Sequence, residues 1–285
     1  MYLNTLGKNE MYASVAEILE TDIEVIKKFV IENADDIVAC HYSDADIECM
    51  DLGNLVNGNN PKCVQRLIVN HITPRESKEK IWQEGLLTLS HALTRKTTLS
   101  DYLEKLGFTF SFNEERIIMS RNGKIVNVED GSETNLQMRF GGKDTLNDYN
   151  INGYLFVEEF EHNRISGWLG SPEILKSLSC YYDKMSIADS YADKCDNYYV
   201  SFEVPLDKVD IDGFSDEMDM DRRTRILLRY TINALAYAEQ RVKPFLRMYN
   251  PIVYLKRDYD VPKEDIRKIW NLRNEQNKWI PVESD

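Results

Sequence analysis

The residues whose types could support chemistry fall in a few places along the chain. Leu67-Ile-Val69 is an apolar run with two β-branched residues that reads as a buried strand, and it leads to His71 and Thr73. Two residues apart on a continuing strand, these share one face and set an imidazole beside a hydroxyl. Tyr154 begins the apolar run Tyr154-Leu-Phe-Val157, which reads as a second buried strand behind the permissive Gly153. Glu203 is a carboxylate inside the strand-like Tyr198-Tyr-Val-Ser-Phe-Glu-Val204. His162 follows Glu158, Glu159 and Glu161, a set of metal-ligand types. Glu158 and His162 would share a face only on a helix, and the preceding run reads as strand, so a solvated strand end explains them better. A satisfied structural histidine at a strand end explains His71 as well as a functional one does.

The elements around these residues follow from periodicity and turn chemistry. Pro74 is expected to stop the first strand, and Ser77 to cap, only partly, a helix carrying Ile81, Trp82, Gly85, Leu86, Leu89 and Leu93. A short helix over Leu99–Leu106 follows. Phe108, Phe110 and Phe112 alternate as a strand, and Arg121-Asn-Gly123 predicts a hairpin turn after Ile117–Met119. Leu136, Met138 and Phe140 alternate and predict another strand, ended by Gly141-Gly142. Pro172 opens a helix through Leu178. Arg222–Val242 is expected to be a long helix with Ile226, Leu227, Tyr230, Ala234, Leu235 and Ala238 on one face. Ile252–Leu255 reads as a final strand, Pro262–Trp270 as a short helix and 271–285 as a polar tail. At the other end, residues 11–38 read as two helices broken at Thr21-Asp22.

Several classes are excluded. There is no Gly-x-Gly-x-x-Gly, no Gly-Lys-Ser/Thr loop and no Gly-x-Ser-x-Gly elbow. Asp207-Lys208 lacks the spacing of a metal nuclease. Five scattered cysteines, with no Cys-x-x-Cys pair, suggest neither a zinc site nor a disulfide framework. No apolar run is long enough to cross a bilayer and no leader is evident, which predicts a cytoplasmic protein with no membrane contact. The net charge is −13, and residues 1–60 hold twelve acids against three lysines. That acidic segment would be repelled by nucleic acid and could dock on a basic protein surface, although a solvated face accounts for it too. Its two helices have helix-turn-helix spacing, but Glu24–Glu32 has too few basic residues for phosphate contacts.

The order of these features resembles the ADP-ribosyltransferase superfamily, of the diphtheria-toxin-like or DarT-like kind, over residues 63–270. The resemblance rests on His71-Ile-Thr73, on Ile81-Trp-Gln-Glu-Gly-Leu86 with its Gly-Leu helix end, and on Gly153-Tyr154-Leu-Phe156. It implies an NAD-consuming transferase, an effector of a bacterial toxin or phage-defence system. NAD would be the substrate and no metal would be needed. His71 and Thr73 would bind ribose hydroxyls, Tyr154 would stack on nicotinamide, and a catalytic carboxylate would stabilise the oxocarbenium-like transition state. The chain departs from the family at that carboxylate. Pro251-Ile-Val-Tyr-Leu255 carries no acid, and Asp258 is the first beyond it. Glu203 is the substitute, with His71 as the second catalytic candidate. The acceptor would be a protein or a nucleic acid.

The expected fold is α+β: a small acidic helical module over 1–62, then a domain over 63–270 with a split, mostly antiparallel sheet and flanking helices, then the tail. Two alternatives stand beside the transferase. One is a catalytically silent relative that binds a protein partner. The other is a helix-turn-helix regulator that binds nucleic acid.

Overall fold

The computed structural model describes residues 1–40, 61–113, 116–128, 134–140, 149–182, 186–240 and 248–283. The fold is α+β, with a helical N-terminal region and antiparallel sheets, as the sequence predicts. The sequence also reads Asn57-Gly-Asn-Asn-Pro61 as a boundary loop and Pro244 as a helix break; residues 57–60, the strand end at Gly141-Gly142 and Pro244 lie outside the described residues.

Strand β1 (Tyr2–Leu3) leads into helices α1 (Lys8–Ile18) and α2 (Ile23–Cys40). Between them Glu20 takes a positive φ of 50°, and the Asp22 carboxylate accepts the Glu24 N–H at 2.8 Å to open α2. Strand β2 (Arg66–Arg75) contains the predicted run, with Leu67, Ile68 and Val69 fully buried. It continues through Pro74 instead of stopping there, since the fixed φ of proline is compatible with extended backbone. Helix α3 (Lys78–Glu84) closes on Gly85 at φ 72°, a left-handed conformation that costs glycine little. A Cβ there would lie 2.4 Å from the Val261 carbonyl oxygen. Leu86 and Val261 then exchange backbone hydrogen bonds of 3.0 and 2.8 Å. This junction divides what periodicity reads as one helix, and α4 (Leu89–Thr94) is separate. Helix α5 (Thr98–Lys105) starts from a Thr97–Ser100 capping box. Strands β3 (Phe108–Phe112), β4 (Ile117–Arg121) and β5 (Lys124–Ile125) form an antiparallel sheet, with Asn122 and Gly123 at φ 49° and 76° in the predicted turn. The strand expected over 136–140 is instead helix α6 (Thr134–Phe140). Leu136 and Phe140 are four apart, so the same apolar residues serve one helical face, and both are buried.

Strand β6 (Asn152–Tyr154) ends sooner than the predicted Tyr154–Val157 run. Beyond it, side-chain amides replace ladder partners. Asn70 Nδ2 donates to the Tyr154 and Leu155 carbonyls at 3.2 Å each, and Asn250 exchanges bonds of 3.0 and 2.9 Å with the Phe156 N–H and C=O. Gly153 is required by close approach, because a Cβ would sit 2.5 Å from the Asn70 oxygen. Next come β7 (Phe160–Glu161), α7 (His162–Ile165), α8 (Glu173–Tyr181), α9 (Ile187–Ala192), β8 (Asp196–Pro205), β9 (Val209–Ile211) and α10 (Met220–Glu239). Helix α10 was expected to bury one face. It is buried almost all round from Thr224 to Ala236, while Ala238 is exposed, as befits a central helix. Strand β10 (Ile252–Leu255) is not the last. The predicted helix over 262–270 and the tail over 271–285 are replaced by β11 (Ile266–Glu275) and β12 (Lys278–Val282). A bulge between Ile266 and Lys268 shifts the alternation, so buried Ile266 and Ile269 stand at a helix-like spacing. Gln276 and Asn277, at φ 52° and 72°, make the turn.

The chain forms two units. The first comprises Met1–Asn70, Asn152–Val157 and Glu203–Tyr254, and the second comprises His71–Ile151, Glu158–Phe202 and Leu255–Asp285. Strands β2 and β8 each pass from one unit into the other. In the first unit β1 pairs parallel with β2, and the sheet runs in the order end of β8, β2, β6, β10, β9. Helix α10 packs on α1 and α2. In the second unit the start of β8 pairs antiparallel with β11, β11 with β12, and β12 with β7. A separate core there includes Leu103, Phe108, Met119, Phe140, Leu175 and Tyr191.

Candidate functional site

The four residues singled out by sequence are divided between the units. His71 and Thr73 lie on the part of β2 in the second unit. His71 is half-buried. Thr73 is 3% exposed, and its hydroxyl accepts from Arg75 Nη1 at 2.7 Å, so it already serves the fold. Tyr154 and Glu203 belong to the first unit, on β6 and β8, with β2 between them. Two strand spacings put their backbones roughly 10 Å apart across the sheet. Tyr154 is 5% exposed and packed in the core, with little ring surface to offer a ligand. The Glu203 carboxylate is in a short ion pair with Arg66 Nε, and its side chain is 14% exposed.

The acidic histidine stretch is dispersed into separate pairs. Glu158 holds Arg164 at 3.1 Å and Glu159 holds Lys278 at 3.5 Å. His162 Nδ1 accepts from the Trp279 indole N–H at 3.0 Å. Among the described residues no group of three His, Cys, Asp or Glu side chains is placed to hold a metal.

Sequence reasoning missed a constellation in the second unit built on Asp260. One carboxylate oxygen accepts the Thr88 N–H at 2.9 Å and the Thr88 hydroxyl at 3.2 Å. The other meets His91 Nδ1 at 2.7 Å and Arg95 Nη1 at 2.9 Å. The carboxylate thus caps α4 from a distant segment and makes His91 Nδ1 the donor toward it. Arg95 shares the same oxygen and offsets its charge. The available signal was Asp260 in a loop just before Val261-Pro262, but nothing local links it to residues some 170 positions earlier.

Among the described cysteines, Cys195 and Cys63 are not poised as nucleophiles. Burial raises the Cys195 thiol to about 11. The hydrogen bond to Asp221 raises that of Cys63. In the first unit a cleft of about 410 Å³ is lined by Ile31, Glu32, Ala34, Asp35 and Asp36 of α2 and by Glu239 of α10. Comparison with protein-family models, curated proteins and solved structures found no match to this chain.

Proposed function

We propose that this chain is an ADP-ribosyltransferase-like protein that acts as a catalytically silent relative, a module that binds a protein partner. The observation that carries this reading is the Arg66–Glu203 ion pair. A carboxylate stabilises a developing oxocarbenium ion through its negative charge, and a guanidinium in contact offsets that charge where it would be needed. The acidic α2–α10 cleft supports a partner with a basic surface. On the same grounds the nucleic-acid reading is the weakest. The outer side of α2 exposes Glu24, Glu32, Asp35 and Asp36, and its inner side is taken up by α1 and α10. The cytoplasm fits the free thiols of Cys63, Cys180 and Cys195.

The active, NAD-consuming transferase is the second reading. It is supported by the half-buried His71 and by the order of strand β2, helix α3 and Gly85-Leu86. Calorimetry with NAD and an assay of nicotinamide release separate the two. The silent relative releases no nicotinamide, and Glu203→Gln changes nothing in that assay. Release by the wild type that Glu203→Gln abolishes, with NAD binding retained, would establish the transferase instead.

A further inference from the structure

The last hairpin of the chain is joined to the edge strand β7 by few contacts. Only Lys278 and Trp279 of β12 register with Glu161 and Phe160. The His162 N–H adds a 3.2 Å bond to the Asn277 carbonyl. Side chains add to these: Lys278 Nζ meets the Glu159 carboxylate at 3.5 Å, and Trp279 Nε1 donates to His162 Nδ1 at 3.0 Å, with the two rings 26° from parallel. An indole nitrogen can only donate. His162 Nδ1 must therefore carry a lone pair, and the neutral ring must hold its proton on Nε2. Protonating the imidazole turns Nδ1 into a donor and sets two donors against each other.

We propose that His162 and Trp279 form a proton-sensitive clasp, which ties the β11–β12 hairpin to β7 while the imidazole is neutral and loosens when it is protonated. Charged groups lie close to the imidazole. Glu158 and Glu159 are engaged by Arg164 and Lys278, and Glu161 precedes the histidine and adds negative charge. The turn Ser166–Trp168 that follows α7 brings no titratable side chain. His162 is exposed, so protons reach it without unfolding.

The test is hydrogen exchange and nitrogen chemical shift by NMR on the full chain, with Trp279→Phe identifying the Trp279 indole signal. Between about pH 8 and about pH 5, where histidine titrates, the Trp279 indole N–H and the His162 backbone N–H should lose protection together. The expected loss is about fivefold relative to intrinsic exchange, the factor equivalent to a net hydrogen bond of about 1 kcal/mol. His162→Asn keeps an acceptor oxygen near Nδ1 that does not titrate, so its protection should stay flat. In the wild type the neutral His162 ring should show its proton on Nε2, a measurement that stands even if the variant fails to fold. A proton found on Nδ1, or an equal pH response in His162→Asn, overturns the proposal.

Discussion

Asp260→Ala is the substitution whose cost can be worked out most directly. Four hydrogen bonds end on this one carboxylate, and they are not equal. Thr88 is fully buried, so its N–H and hydroxyl lose their acceptor where water does not replace it easily. An abandoned buried donor costs roughly 1–3 kcal/mol. The His91 and Arg95 side chains are 31% and 53% exposed, and pairs at such sites are worth about 0–1 kcal/mol each. A destabilisation of about 3 kcal/mol is expected, together with loosening of the Leu86–Val261 bridge beside it. Asp260→Asn keeps an oxygen for Thr88, and its amide can donate to the other His91 tautomer; only Arg95 loses a favourable partner. That variant should cost about 1 kcal/mol. Urea unfolding, followed by far-ultraviolet circular dichroism at constant m, measures both. The reasoning is refuted if the two variants are equally destabilised, or if Asp260→Ala falls below about 1 kcal/mol, since either result would mean that Thr88 finds another acceptor.

Two further outcomes follow from the same structure. Gly85→Ala should destabilise by about 2 kcal/mol or more in the same unfolding assay, because it combines a positive φ with a Cβ set 2.4 Å from the Val261 oxygen. Glu239 has its carboxyl pKa lowered: burial works to raise it, but hydrogen bonds from Lys8 and Tyr12 outweigh burial. A depressed folded-state pKa gives stability that is present above the ordinary glutamate range and is lost as pH falls through the folded value. Glu239→Gln should therefore lower stability at neutral pH, and the gap to wild type should close in acid. A gap that stays constant on acidification would contradict this.

Much of the fold was legible because local chemistry and burial agree. Leu67–Val69 is apolar, with β-branched Ile68 and Val69, and fully buried, Asn122-Gly123 has the backbone angles its turn demands, and Thr21-Asp22 separates two amphipathic helices. The misreadings arise where one pattern fits two structures. Leu136 and Phe140 satisfy both a strand of period two and a helix with an i, i+4 face. The β11 bulge gives buried residues a helical spacing, and Pro262 adds a helix-start signal that leads only to a single 3-10 turn. The candidate site was less legible because its meaning depends on partners remote in sequence. Nothing near Glu203 announces Arg66, and nothing near His91 announces Asp260. Tyr154 reads as a ring available for stacking until burial places it in the core.

The interleaving of the two units has a consequence for synthesis. Helices α1 and α2 leave the ribosome well before α10, which covers their apolar sides and lies in a segment that begins about 130 residues after Asn70. At the elongation rates of cells, roughly 5–20 residues per second, the N-terminal helices wait on the order of ten seconds for their packing partner. During that interval Val15, Ile18, Ile26 and Val30, all fully buried in the finished fold, have no α10 to pack on. The high acidic charge of this early segment then acquires a role apart from any partner. Like charges of this kind would oppose association of nascent chains while the first unit remains incomplete.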